Sequence, residues 1–205
     1  NMDEGPFPFW GVYLAACWKL FGKSLLVSHL AMLPFILGTF LGFYKLCKSF
    51  LNDTFTSVAL VLLLLEPTVG TQSLLMSYDI ALLCFFLLAV NALMRGKKIL
   101  YAIALVFIGV CNVRGPVVVG SLFIIQWLFA HRQSNLKYWA WSALYYLPCV
   151  IILSAWFLFH KSETGWYLFS PLKVNTDERL VSGTMILRQL FYVICKVCDF
   201  GRIAL

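Results

Sequence analysis

Asp79 stands at the lip of one of the most apolar stretches of the chain, MSYDIALLCFFLL at residues 76–88. Desolvating a carboxylate costs far more than an apolar core tolerates, so an acid in this place needs a reason. At a helix mouth it has water on one side and low dielectric on the other, and near a helix N-terminus the macrodipole favours its charge. The structural alternative is an N-cap, a role for which Ser77 competes. Arg114 interrupts a second apolar stretch, where an unpaired guanidinium would be costly. It can fork onto a phosphate, or pair with Asp79 or Glu66. His160 and Lys161 begin a long polar segment, where they can contact phosphate or serve as a basic interfacial anchor. Two more acids, Asp3 and Glu4, precede the first apolar run, whereas Glu66 before Pro67 reads as a solvated helix end.

The other reactive side chains point to packing. Cys17, Cys47, Cys84, Cys111 and Cys149 fall singly in or beside apolar runs, which suits small buried hydrophobes and not a disulfide framework. Cys195 and Cys198 form a lone C-x-x-C without a second pair or a neighbouring histidine, so neither a zinc site nor a redox centre is expected. His29, within VSHLAML, reads as a buried, hydrogen-bonded residue. No glycine-rich phosphate loop, Ser-His-Asp arrangement or nucleotide fingerprint is present.

The elements that must position these residues are set by the solvent. The chain of 205 residues is 61% hydrophobic and only 12% charged, against roughly a quarter charged in soluble domains. With a mean hydropathy of +0.86 it exposes more apolar surface than a water-soluble protein of this size could hide. A bilayer admits only structures whose backbone groups pair internally, and the alternating strands of a membrane barrel are absent. The expectation is an all-α, polytopic transmembrane helical bundle forming a single domain over 1–205, with about six to seven membrane helices. Apolar runs lie near 24–44, 56–70, 79–94, 99–112, 116–130 and 138–159. Runs of about 15 residues are shorter than the ~20 of a full span and must be extended, tilted or enclosed by neighbours.

Basic residues punctuate every second connection: Lys45 and Lys48, then Arg95, Lys97 and Lys98, then Arg132 and Lys137. By the positive-inside rule these loops face the cytoplasm, leaving 1–23, 67–79, 113–116 and 160–180 outside. Much of the net charge of +7 therefore sets topology; no basic stripe interleaved with exposed aromatics supports nucleic-acid binding. In PFPFWGVYLAACWKLF (residues 6–21), Phe9, Trp10, Tyr13 and Trp18 suit an interfacial amphipathic helix, the alternative being half of a tilted span. The chain starts at Asn1 with no secretory signal and stops as a new apolar run begins, so it is expected to be a fragment of a longer protein.

EGPFPFWGVYLAACWKLFGKSLLVSHL followed by EPTVGTQSLLMSYDIALLCFFLLAVNAL resembles the membrane-embedded glycosyltransferases of the GT-C type. The nearest are bacterial relatives of the dolichyl-phosphate-mannose protein mannosyltransferases and of the lipid A aminoarabinose transferase. KLFG at Lys19–Gly22 is similar to the turn that ends the family's interfacial helix, and Pro67, Gln72, Ser73 and Asp79 keep the family's order. NVRGP, Asn112 to Pro116, resembles its TKGP-like outer turn with Arg114 in the lysine place; ETGWYLFSP and DFGRI are similar to elements of a bacterial branch. Gly5, Pro6, Phe7 and Pro8 replace the family's Gly-His-Pro-Pro or Lys-Pro-Pro, so the basic residue is lost at Pro6.

The resemblance implies transfer of a sugar from a polyprenyl-phosphate donor to a protein, lipid or glycan acceptor at the external or periplasmic face of a bacterial inner membrane. It implies a carboxylate as general base, drawn from Asp3, Glu4 and Asp79, and positive charge from Arg114, His160 and Lys161, or a divalent metal, on the departing phosphate. The family's first outer loop usually carries an essential Asp, for which Asp3 and Glu4 are the candidates here. The competing readings are a lipid-linked sugar flippase or a transporter, or an inactive relative. Against a transporter, the acids gather at one face and no internal repeat is visible.

Overall fold

A computed structural model of the protein describes residues 8–75, 77–130, 136–165 and 167. Every regular element among them is a helix: α1 (Pro8–Phe21), α2 (Leu25–Cys47), α3 (Asp53–Leu65), α4 (Pro67–Leu74), α5 (Tyr78–Met94), α6 (Lys98–Cys111), α7 (Gly115–Ala130) and α8 (Leu136–Thr164). The chain divides into two compact units, Asn1–Gly165 and Trp166–Leu205, and all eight helices belong to the first.

Local chemistry sets the helix boundaries. Ser24 accepts from the Val27 amide at 3.2 Å, Asn52 from Phe55 at 2.9 Å and Ser77 from Asp79 at 3.1 Å, each satisfying a donor that the first turn leaves free. Gly96, at φ +64°, makes the tight turn between α5 and α6 that a side chain would strain. The apolar run expected at 56–70 is broken at Glu66, whose ψ of 110° is the extended conformation that Pro67 imposes on the residue before it. The expected outer loop 67–79 is accordingly half helical: α4 occupies Pro67–Leu74 and meets α3 at 55°. The expected outer loop 160–180 likewise begins as helix, since α8 runs to Thr164.

Two segments, Leu25–Cys47 and Ser142–Thr164, are each 23 residues long and apolar enough to cross a membrane, and α3 with α4 can serve as one bent crossing. At 1.5 Å per residue each 23-residue segment reaches about 35 Å, more than the hydrocarbon thickness. These helices mark an integral membrane protein. Their outer faces carry large apolar groups in the open, among them Leu26, Leu37, Leu41, Leu62, Ile151 and Phe159. Such a surface would aggregate in water and is at ease in lipid.

The shorter apolar helices α5 and α6, of 17 and 14 residues, occupy the middle. Parallel to α5 runs α2: Phe35 meets Ile80 and Phe85 in one core cluster, and further along Gly38 and Gly42 lie against Cys84 and Leu87. The spacing of these two glycines is the small-xxx-small pattern that lets helix backbones approach in lipid. A Cβ on Gly42 would lie 3.0 Å from Leu87 Cβ. Asn91, one turn on, donates to the Gly42 carbonyl at 2.9 Å, using the backbone that the missing side chain exposes. Antiparallel to α5 is α6, which carries Tyr101, Leu105 and Ile108 into the core shared with α7 and α8. At its start, the Tyr101 and Tyr146 hydroxyls meet at 2.6 Å and Tyr146 donates to Gln126 Oε1 at 2.9 Å, forming a buried polar knot across three helices.

Aromatic rings fasten α1 to this bundle. Phe9 stacks on Tyr13 and meets Phe35, Phe85 and Phe107 edge-on, while the Tyr13 hydroxyl donates to the Ala31 carbonyl at 2.8 Å. All four aromatics expected to sit at a lipid headgroup layer thus also anchor α1 to the bundle: Phe9, Trp10 and Tyr13 meet Phe35 of α2, Phe9 also reaches α5 and α6, and Trp18 bonds to α2. His29, expected to be buried, is half-buried with no side-chain hydrogen bond among the described residues; its neighbour Ser28 faces inward instead and accepts from Trp18 at 2.9 Å.

Candidate functional site

The ends of α5 and α6 and the start of α7 converge on one carboxylate. Ser77 takes the capping position on α5, so Asp79 is not the cap and its side chain is left for other partners. Cys111, the last residue of α6, holds the two helix ends together through a thiol contact of 3.5 Å to the Tyr78 carbonyl. The next residue, Asn112, is extended (φ −161°, ψ 177°) and 4% exposed. Its Oδ1 accepts from the amides of Arg114 and Gly115, both at 2.9 Å, which starts α7. Its Nδ2 donates to Asp79 Oδ1 at 3.2 Å.

Arg114 completes the cluster, with Nη1 at 3.3 Å from both carboxylate oxygens of Asp79. Of the two alternatives for Arg114, an ion pair with Asp79 is therefore observed. The pair is lopsided: the Asp79 side chain is 28% exposed and that of Arg114 is 72% exposed. An ion pair so open to solvent contributes at most about 1 kcal/mol. It leaves the rest of the guanidinium fork facing outward, where it can take an anion. Gly115 is required by the same turn, since a Cβ there would overlap the Ile108 carbonyl oxygen.

Three residues separated by at most 35 positions thus make a carboxylate held by one amide and one guanidinium. Chemically, such a group can accept a proton from a hydroxyl or amine arriving from the open side. The adjacent cation can steady a negative charge formed nearby.

The remaining candidates are His160, Lys161, Asp3 and Glu4. His160 is buried at the far end of α8, where Thr164 donates to its carbonyl at 2.6 Å and its ring tilts against Trp156. Lys161 follows it, exposed. Among the described residues, Asn112 and Arg114 contact the Asp79 carboxylate, and His160 and Lys161 do not. Asp3, Glu4, Cys195, Cys198 and Arg132 lie outside the described residues. No group of three or more His, Cys, Asp or Glu side chains able to hold a metal occurs among the described residues.

Sequence reasoning missed Asn112 as a member of the site. The signal was present: an Asn three residues before a Gly-Pro helix start is the grammar of a capping residue. Only the approach of α5 gives its amide hydrogen a carboxylate as partner. No protein-family model, no curated protein and no solved structure matches this chain.

Proposed function

We propose that this chain belongs to a membrane glycosyltransferase that moves a sugar from a polyprenyl-phosphate donor to an acceptor at the external or periplasmic membrane face. The observation that carries the reading is the convergence of Asp79, Asn112 and Arg114 at one end of the helices. The basic connections Lys45–Lys48 and Arg95–Lys98 lie at the other end of α2 and α5. Since α5 places about 24 Å between Asp79 and Arg95, the positive-inside rule assigns Asp79 to the non-cytoplasmic side, in a bacterium the periplasm.

In this reading Asp79 accepts the acceptor's proton as its oxygen or nitrogen bonds to the sugar's anomeric carbon. The bond from that carbon to the phosphate oxygen breaks, its electron pair leaves with the lipid phosphate, and Arg114 turns its free donors onto the departing charge. Asn112 keeps the carboxylate oriented while Arg114 moves.

The test is transfer of radiolabelled sugar from polyprenyl phosphate by the full-length protein, with Asp79→Asn and Arg114→Gln beside it. Both variants should retain folded yield, because an exposed ion pair contributes little, and both should lose transfer by 10²-fold or more, the usual scale for a positioned base or charge. A lipid-linked sugar flippase or a transporter would show no transfer in any sample. Undiminished transfer by Asp79→Asn would reject this carboxylate as the base. Reporter tags that put the loop before Asp79 inside the cell would reject the mechanism outright.

A further inference from the structure

At the opposite end of α5 a cleft of about 340 Å³ opens between α2, α5 and the start of α6. Its lining includes Gly38, Gly42, Lys45, Asn91, Arg95 and Lys97. Two observations point to an occupant. The first is charge. This end of the described bundle carries Lys45, Lys48, Arg95, Lys97 and Lys98 against the single acid Asp53. That acid is taken by Lys48 at 3.5 Å, and Lys48 also lies over the Tyr44 ring, as Lys98 lies over Tyr145. The three cations that line the cleft, Lys45, Arg95 and Lys97, have side chains with no ion pair, hydrogen bond or ring contact among the described residues.

The second observation is Asn91. Its residue is 7% exposed, and its amide nitrogen is spent on the Gly42 and Leu87 carbonyls at 2.9 and 2.7 Å. Its Oδ1 is fully buried with no partner among the described residues, and Asn91 is one of the residues that line the cleft. A buried acceptor without a donor is costly, so a hydroxyl reaching it from the cleft would be stabilising. Phosphate oxygens alone cannot donate to it, because they accept.

We propose that this cleft holds one anionic glycerophospholipid with a hydroxyl-bearing headgroup, of the phosphatidylglycerol kind. Its phosphodiester lies among Lys45, Arg95 and Lys97, a headgroup hydroxyl donates to Asn91 Oδ1, and its acyl chains run along the exposed apolar faces of the helices. A bilayer supplies this molecule at the right depth, and basic pockets between membrane helices are suited to such headgroups. The site lies about 24 Å from Asp79 and is independent of the transferase reading.

The test is native mass spectrometry of the detergent-solubilised full-length protein, titrated separately with phosphatidylglycerol, phosphatidic acid, phosphatidylcholine and soluble glycerol 3-phosphate. One phosphatidylglycerol should be retained per chain in preference to the other three. Because all three cations are exposed, Lys45→Gln, Arg95→Gln and Lys97→Gln should leave the fold intact and weaken retention by about five-fold each. Equal retention of phosphatidylcholine would overturn the site, as would undiminished binding by the triple variant. Glycerol 3-phosphate binding as well as the lipid would overturn a lipid occupant. Phosphatidic acid binding as well as phosphatidylglycerol would overturn the bond to Asn91. The comparison among ligands on the unaltered protein needs no variant.

Discussion

Asn112 offers a test in which two explanations predict opposite orders of stability. Its carboxamide does two things: Oδ1 caps the start of α7 through two amides at 2.9 Å, and Nδ2 donates to Asp79 at 3.2 Å. Asn112→Ala removes both. The lost cap costs about 1 kcal/mol. The Gly115 amide keeps its second partner, the Asn112 carbonyl at 3.0 Å, so the penalty there is partial. Losing a donor to a charged acceptor adds about 1.5 kcal/mol, the low end for such bonds, because Asp79 is partly solvated. The sum is about 2–3 kcal/mol. Asn112→Asp keeps both accepting bonds, and as a cap near a helix N-terminus a carboxylate is at least as good. It also sets a second negative charge where the amide nitrogen was, 3.2 Å from Asp79. At an effective dielectric of about 20 that repulsion is on the order of 5 kcal/mol before Arg114 offsets part of it. The cap alone therefore ranks Asp with wild type and above Ala, whereas the clasp on Asp79 ranks Asp below Ala. Unfolding of the purified full-length protein in detergent, followed by circular dichroism against denaturant, gives the order. The double variant Asn112→Asp with Asp79→Asn exchanges donor and acceptor and should recover most of the loss. Should Asn112→Asp be as stable as wild type, or Asn112→Ala fall within about 0.5 kcal/mol of it, Asn112 does not hold the carboxylate.

Two further outcomes follow from packing in the same bundle. Gly109→Ala would put a Cβ 2.8 Å from Cys149 Sγ and 3.2 Å from Leu153 Cδ1, so it should lower stability by about 1–3 kcal/mol. The same change in a Cys149→Ala background should cost clearly less, and an equal cost in both backgrounds would refute the contact as its cause. Tyr146→Phe deletes the hydroxyl between Tyr101 and Gln126, bonds of 2.6 and 2.9 Å, and should destabilise by about 1–2 kcal/mol, measured by the same unfolding transition. A neutral result would mean that water replaces the hydroxyl.

Much of the helical grammar was legible because it is local. Ser77 begins α5 and Pro67 breaks α3 from α4 through interactions that span no more than three residues, and no partner elsewhere is needed to foresee them. The apolar runs fixed the all-α class for the same reason: in lipid each segment must satisfy its own backbone. Lengths were less legible. Continuous hydropathy merged α3 with α4 into one run, and ended the last run at 159 although α8 continues to Thr164. The Gly38 and Gly42 pair was visible as a pattern but not as a contact, since its meaning depends on which helix is brought against it.

The site shows the division most clearly. The sequence by itself determined a helical membrane chain, with cations at alternate connections and an aspartate at the mouth of α5. It left Arg114 with several partners, and it gave no reason to join Asn112 to Asp79. Those choices were decided by tertiary structure, because the bonds from Asn112 and Arg114 to Asp79 cross 33 and 35 residues of chain. They form only when α6 returns antiparallel to α5 and its last residue, Cys111, comes to rest beside Tyr78. A residue's type sets what it can donate or accept; the packing of two apolar helices, which carries no information about that polar chemistry, sets who receives it.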